Sequence, residues 1–220
     1  MTRVLGIIAL VAAFGMISTG SLRADPVQAG DIVRFVDGPG SPGGEFGIEK
    51  VGQPGVLFTT FCLERSEYID FNPAGFIVTG IDRNALNGGV GAGPEGDPIS
   101  AQTAYLYTQF RQGTLAGYVS DATHANALQN AIWALEGDVV PSTLSGLAKS
   151  YYDIANSTTW TDIGDVRVMN LAWATSRSGF TAGTLAQSQL VMVPEPTTMA
   201  LLGLALFGSI PGLRKRRKKV

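Results

Sequence analysis

The chain has one cysteine, and its setting and that of a distant glutamine suggest that the two side chains could react with each other. Cys62 lies in a Phe-Cys-Leu-Glu segment at 61–64, and Gln129 lies in a Leu-Gln-Asn-Ala-Ile-Trp segment at 128–133. A thiolate can attack the carbon of a carboxamide, expel ammonia and leave an acyl thioester. Ordinary amides resist this attack, so the fold must hold the two groups in near-attack geometry, stabilise the oxyanion and exclude water. The product would be an electrophile stored inside the protein.

Gln129 is predicted at the edge of the apolar face of a helix. At about 100° per residue, Leu128, Ile132 and Leu135 share one face, and Gln129 lies beside it. If this flank packs against a strand that carries Cys62, the thiol and the amide meet. The alternative is a partly exposed amide and a cysteine that is only a small buried apolar residue.

Four side chains near the pair are candidates for the walls of a reaction pocket. Phe61 and Trp133 would shield the thiol and the amide from water. The carboxylates of Glu64 and Glu136 would position water or an incoming amine. The alternative for both carboxylates is simple exposure to solvent.

The two segments resemble the Cys-Gln thioester domains of bacterial surface adhesins. In that family an aromatic-Cys-Leu-acid segment precedes a Thr-Gln-x-Ala-Ile-Trp segment. The chain departs at Leu128, which stands in place of the threonine, and the resemblance spans roughly residues 56–137. It implies that Cys62 and Gln129 form the bond, and that a nucleophile on a target surface opens it to make a covalent amide or ester. The implied function is adhesion rather than enzymatic turnover.

A Cys/His hydrolase is a second function that the residues leave open. It would pair Cys62 with His124, the only histidine in the chain. His124 lies five residues before Gln129, about 140° round the predicted helix, so it is expected to face away from that amide and into solvent. The segment around Cys62 also lacks a nucleophile elbow.

A noncovalent matrix protein is the third function left open. It would bind polysaccharide through exposed aromatic side chains, for which the candidates are Trp160, Trp173, Tyr151 and Tyr152. Such aromatic residues are more often part of a core.

Residues 1–24 are typical of a secretory signal peptide. Arg3 precedes an apolar run at 4–17, small residues follow, and cleavage is predicted after Ala24. A retained N-terminal membrane anchor is the alternative, but the run is short for a span.

The C-terminal segment 194–220 has three features in a fixed order. It begins with Pro194-Glu195-Pro196, continues with an apolar stretch at 199–213 and ends with six adjacent cations at 214–219. A short hydrophobic helix followed by cations stops in a membrane with its basic end in the cytoplasm. The order resembles the PEP-CTERM sorting signal of exported proteins in Gram-negative bacteria that make extracellular polysaccharide. The resemblance implies that an exosortase recognises Pro194-Glu195-Pro196 and processes the tail, so that the protein is released or anchored outside.

The charge of the central segment excludes some partners. Residues 25–193 keep 8 of the 16 basic residues and 17 of the 18 acidic ones, a net charge of −9. Such a domain is a poor ligand for nucleic acid and suits amine-bearing or cationic surfaces. One cysteine makes neither an internal disulfide nor a multi-thiolate zinc site, and no cofactor or metal site is predicted. A G-x-G-x-x-G match at 91–96 follows a long polar loop and contains a proline, so nucleotide binding is not predicted.

The pattern of the central segment predicts one α+β domain. Glycine- and proline-rich stretches predict loops at 37–55 and 87–98. The segments rich in β-branched and aromatic residues predict strands at 32–36, 56–63, 75–81, 166–175 and 189–193. Helices are predicted at 100–111, at 122–136 with Asp121 as N-cap, and from a Ser142 cap to Ile154. The expected architecture is a mainly antiparallel β-barrel or sandwich with an insertion of about three helices.

Overall fold

A six-stranded antiparallel sheet is the framework of the fold. The computed structural model describes residues 26–40, 44–88 and 94–193, so the predicted signal peptide and the C-terminal segment lie outside the described residues. The strands are β1 Ile32–Val36, β2 Gly44–Lys50, β3 Phe58–Phe61, β4 Phe76–Asp82, β5 Asn84–Ala85, β6 Asp97–Pro98, β7 Val166–Trp173 and β8 Leu185–Met192. The sheet order is β3-β2-β1-β4-β7-β8, and β5 pairs with β6 in a small separate sheet.

Three helices lie between β6 and β7 in the chain and form the helical insertion. They are α1 Ala101–Gln112, α2 Ala122–Leu135 and α3 Gly146–Ser157. Ser100 caps α1 by accepting a hydrogen bond from the Thr103 N–H, and Asp121 caps α2 by accepting one from the His124 N–H. Helix α2 packs against both α3 and strand β2. This packing carries α2 to the edge of the sheet that bears Cys62.

The two edge strands of the sheet, β3 and β8, meet just beyond the end of β3. Cys62 forms an isolated antiparallel bridge with Gln189. The Leu63 N–H donates to the carbonyl oxygen of Ser188 at 3.0 Å. We call this contact between residues 62–63 and 188–189 the seam. Because pairing is confined to a few residues, the sheet is not closed into a barrel, and the architecture is sandwich-like.

Side-chain alternation at the end of β3 divides the segment between two cores. Phe61 and Leu63 pack into the core formed with the helices. Cys62 points the other way, into the core that holds Trp133 and the sheet residues Phe46 and Val191. The thiol therefore lies in an apolar layer and has no exposed surface.

The predicted fold class, α+β with three inserted helices, is confirmed. Strand β1 has the predicted bounds, and Asp121 is the N-cap of α2 as predicted, while Ser100, predicted as the first residue of its helix, is the N-cap of α1. These elements were predictable because their caps and apolar periodicity are local signals.

The structure departs most from the prediction in three places. The expected loop at 37–55 contains strand β2, whose glycines conceal a segment that is buried along most of its length. Helix α3 begins at Gly146 with Ser145 before it, because Pro141–Thr143 forms a separate 3-10 turn at the expected cap. Strand β8 begins at Leu185 rather than at residue 189.

Candidate functional site: a buried cysteine and two glutamines

The Gln129 side chain is held against the backbone of Cys62. The Cys62 N–H donates to Oε1 of Gln129 at 2.9 Å, and Nε2 of Gln129 donates to the Cys62 carbonyl oxygen at 2.8 Å. Both residues have zero exposed surface. Two hydrogen bonds fix both the position and the rotation of the amide. With a single hydrogen bond the amide could still rotate. The amide is thus fully buried, and the partly exposed amide considered from the sequence is wrong.

Gly44 provides the space for the Gln129 amide. It pairs with Phe61 at the start of β2. A β-carbon placed on Gly44 would lie 2.8 Å from Oε1 of Gln129 and 2.5 Å from the Phe61 ring. Glycine at this position therefore allows the close approach of strand and amide. Sequence reasoning missed Gly44, since its importance comes from a residue far along the chain.

The sulfur of Cys62 has a second glutamine beside it. Nε2 of Gln189 donates to Sγ at 3.4 Å, and Gln189 is also fully buried. Burial raises the pKa of the Cys62 thiol to about 12, the Gln189 hydrogen bond lowers it, and the negative charge of Glu67 raises it. At neutral pH the group is a protonated thiol. Gln189 lies at the predicted boundary of the last strand, and nothing local in the sequence marks it.

Two glutamates of the segment after Cys62 are buried. Glu64 has zero exposed surface, and neither carboxyl oxygen has a hydrogen-bond partner among the described residues. Burial, followed by the negative charge of Asp138, raises the pKa of Glu64 to about 9. Glu67 accepts a hydrogen bond from the Ser188 N–H at 2.8 Å, and burial raises the pKa of Glu67 to about 7. Near neutral pH Glu64 is a neutral acid, while Glu67 can exchange a proton.

Glu136 does not share the environment of Glu64. Its carboxylate accepts a hydrogen bond from the Ser100 hydroxyl at 2.7 Å and joins the end of α2 to the start of α1. Burial raises the pKa of Glu136, while hydrogen bonds from Thr103 and Ser100 lower it. Its contacts are those of a link between two helices. It influences Glu64 only through its negative charge.

The two aromatic residues predicted for the pocket lie on different sides of the pair. Phe61 packs edge-on against Phe110 in the helical core, with ring centroids 5.0 Å apart. Trp133 lies one helical turn after Gln129 in the core that holds Cys62, and the Arg65 guanidinium lies 5.9 Å from the centre of its ring. Both side chains are buried, and their role as a shield of the pair stays a prediction.

A cavity of about 690 Å³ lies beside the pair. Its wall includes residues from α2, β8 and the segment after β3, among them Glu67, Tyr68, Phe71, Asn130, Trp133 and Gln187. Neither Cys62 nor Gln129 lines the cavity, whereas Trp133 and Glu67 do. The cavity is a space from which a second molecule could approach the neighbourhood of Trp133 and Glu67.

The residues of the two other functions considered from the sequence lie elsewhere. Nδ1 of His124 is 2.8 Å from Oδ1 of Asp121, and the ring packs near Tyr118 rather than beside the thiol. Of the four aromatic residues considered for sugar binding, Trp173 and Tyr151 are about 1% exposed and their faces are not available, whereas Trp160 and Tyr152 are half-buried. Within the described ranges, no group of three or more His, Cys, Asp or Glu side chains could hold a metal ion.

Comparison with known proteins locates one motif, in the C-terminal segment. Residues 193–218 match the family model of the PEP-CTERM protein-sorting motif. No curated protein and no solved structure is significantly similar to the chain, so the likeness of residues 56–137 to thioester domains has no further support from comparison. No helix within 26–40, 44–88 or 94–193 is long and apolar enough to cross a membrane, and the apolar stretch at 199–213 lies outside those ranges. The chain thus carries a PEP-CTERM sorting motif, which implies export, membrane-anchored sorting in a Gram-negative bacterium and processing by an exosortase.

Proposed function

We propose that residues 25–193 form an adhesive surface domain in which Cys62 and Gln129 join as an internal thioester. The observation that carries the proposal is the pair of hydrogen bonds between the Gln129 amide and the Cys62 backbone, in a site with no exposed surface. Holding a buried amide beside the residue that carries the only thiol can accelerate a reaction between the two groups by proximity.

The same two hydrogen bonds supply part of the chemistry. Attack of Sγ on the Gln129 side-chain carbon places negative charge on Oε1, to which the Cys62 N–H already donates. The bond from Nε2 to the Cys62 carbonyl orients the leaving nitrogen. The S–C bond forms, the C–N bond breaks, and the thiol proton leaves with the nitrogen as ammonia.

A target nucleophile would then open the thioester. An amine or hydroxyl attacks the acyl carbon, the S–C bond breaks, and the proton of the nucleophile returns to sulfur. The result is an amide or ester between Gln129 and the target. The cavity walled by Trp133 and Glu67 is the proposed route of approach. Each chain reacts once, so the domain is not an enzyme.

The proposed targets follow from charge and location. A net charge of −9 over residues 25–193 favours amine-bearing surfaces, and the hydroxyl groups of exopolysaccharide are the second class. An exported domain with this bond would attach the cell or its biofilm matrix to such surfaces. Exosortase processing would decide whether the domain acts while anchored or after release.

Intact mass of the exported protein, with and without methylamine, tests the proposal. The proposal predicts a mass lower by one ammonia, and a methylamine adduct after treatment. Neither change should occur in Cys62→Ala or Gln129→Ala. A full mass in fresh wild-type protein, with no adduct, would leave only the alternative below.

The alternative is a noncovalent structural protein of the extracellular matrix. Its support is the thiol pKa of about 12, which keeps Cys62 protonated and would make it one more buried side chain. In this case retention on polysaccharide would be unchanged in Cys62→Ala. The same comparison of retention in wild type and Cys62→Ala therefore separates the two functions.

A further inference from the structure

We propose that Gln189 is the residue that activates the thiol of this site, holding the Cys62 sulfur and stabilising its negative charge during attack on Gln129. This inference rests on the proposed thioester, and it assigns different tasks to the two glutamines around one thiol.

The orientation of the Gln189 amide supports the role of a donor. Nε2 lies 3.4 Å from Sγ of Cys62 and 3.4 Å from the carbonyl oxygen of Gln187. Because the nitrogen lies near both acceptors, the NH₂ group rather than the oxygen faces the sulfur. The bridge between Cys62 and Gln189 holds the two backbones in register. The contact to sulfur is therefore built into the seam.

The two side-chain oxygens show which glutamine is the electrophile. Oε1 of Gln129 accepts the Cys62 N–H, whereas Oε1 of Gln189 has no hydrogen-bond partner among the described residues. Attack on Gln189 would create a buried oxyanion with no donor, which is costly. Attack on Gln129 creates one with a donor already in place. The arrangement directs the sulfur to Gln129 although both amides are adjacent.

The sulfur needs such a donor because its surroundings oppose a negative charge. Burial raises the pKa of the thiol, and the negative charge of Glu67 raises it further, while the Gln189 hydrogen bond lowers it. During the reaction the S–C bond to Gln129 forms, the C–N bond breaks and the thiol proton departs with ammonia. Gln189 is unchanged at the end of this step.

The experiment starts the reaction from a known state. Excess ammonium converts the thioester of the exported protein back to the Cys62 thiol and the Gln129 amide, and removal of ammonium restarts ammonia loss. The rate is followed by intact mass from pH 6 to pH 9. Gln189→Leu should lower the rate by at least about tenfold at neutral pH, with less loss at high pH.

Asn170→Leu is the matched control, because it removes a buried amide from the neighbouring strand β7 and Asn170 does not line the cavity. Nδ2 of Asn170 donates to the carbonyl oxygen of Asn84 and not to sulfur. This variant should keep the wild-type pH profile and a rate within about threefold of wild type. An equal loss in both variants would overturn the role of Gln189.

Gln189→Glu gives a second signature if the leucine variant fails to fold. A protonated glutamic acid can donate to sulfur, whereas its carboxylate cannot. Ammonia loss should therefore persist at low pH and fall as the new carboxyl ionises. Wild-type rates in the Gln189 variants would overturn this inference alone, and a wild-type protein that never loses ammonia would overturn the proposed function as well.

Discussion

Two glutamines reach the same cysteine from opposite parts of the chain, and the structure treats them differently. Gln129 lies on helix α2, and both its side-chain oxygen and its side-chain nitrogen form hydrogen bonds with the Cys62 backbone. Gln189 arrives on the last strand and contacts the sulfur through its nitrogen, with no partner for its oxygen among the described residues. Burial and residue type are the same in both. The difference is that the oxygen of the Gln129 amide has a hydrogen-bond donor and that of the Gln189 amide has none in the described part of the chain. The Gln129 amide is therefore the one polarised to become the acyl group.

Closing the space around the Gln129 amide is expected to have the largest effect. Gly44→Ala would place a methyl group 2.8 Å from Oε1 of Gln129 and 2.5 Å from the Phe61 ring. Overpacking of this kind costs about 1–3 kcal/mol, and displacement of the amide should reduce ammonia loss by more than about tenfold. Intact mass and thermal melting check both effects. Gly80→Ala is the matched control in another strand, because a β-carbon at Gly80 meets nothing within 4 Å. Normal ammonia loss in Gly44→Ala would show that the amide is not confined as described.

The stabilities of two leucine variants compare the hydrogen bonds of Gln129 with those of Gln189. Gln129→Leu removes two hydrogen bonds and leaves the Cys62 N–H and carbonyl unpaired, so it should destabilise the domain by about 2 kcal/mol. Gln189→Leu removes weak bonds from one nitrogen and also removes an unpaired oxygen, so its cost should be below about 1 kcal/mol. Denaturant unfolding in excess ammonium, which keeps Cys62 as the thiol and Gln129 as the amide, measures both costs with the sulfur in place. Equal costs would remove the distinction between the two amides.

The buried carboxyl groups of Glu64 and Glu67 should make the stability of the domain depend on pH. The pKa of Glu64 is raised from 4.5 to about 9, so the folded state binds the proton more tightly than the unfolded chain. The free energy of unfolding should therefore fall as the pH rises from about 4.5 towards 9. Glu67, whose pKa is raised to about 7, acts in the same direction over a narrower range.

Glu64→Gln tests this dependence because it keeps the shape and removes the titration. The melting temperature of wild type should fall between pH 5 and pH 8.5 by at least about 3 °C more than that of the variant. Glu136→Gln is the comparison, since that carboxylate already has Ser100 as a partner. Parallel pH curves for wild type and Glu64→Gln would show that Glu64 ionises as an ordinary carboxyl group.

The smallest effect is expected at His124. Its ring pairs with Asp121 near the start of α2. His124→Ala should leave the rate of ammonia loss within about twofold of wild type, because the histidine contacts neither the thiol nor the amides. A large loss with unchanged melting temperature would instead support a Cys/His pair.

The sequence was informative where the signals were local. Asp121 marks the start of α2 by the usual capping chemistry, and it occupies the N-cap position. Cys62 and Gln129 could be singled out by residue type and by the segments around them. Their contact also requires α2 to pack at the edge of the sheet, which no local pattern predicts.

Other parts of the site could not be found from the sequence. Gln189 lies 127 residues from Cys62, and only the pairing of the two edge strands brings it to the sulfur. Gly44 lies in a glycine-rich segment predicted as a loop, and its role depends on a side chain of α2. The Glu67 carboxylate is held in its buried position by a hydrogen bond from the Ser188 N–H on β8. Each of these residues depends on a long-range contact that no local pattern encodes.

The most direct measurement of the central claim is a peptide-resolved mass spectrum of freshly exported wild-type protein. The account predicts a cross-link between the peptides of Cys62 and Gln129, with the loss of one ammonia. Methylamine should convert it to a free thiol and a methylated amide at Gln129. A free Cys62 thiol and an unmodified Gln129 amide in fresh protein, or an adduct at Gln189 instead, would contradict it.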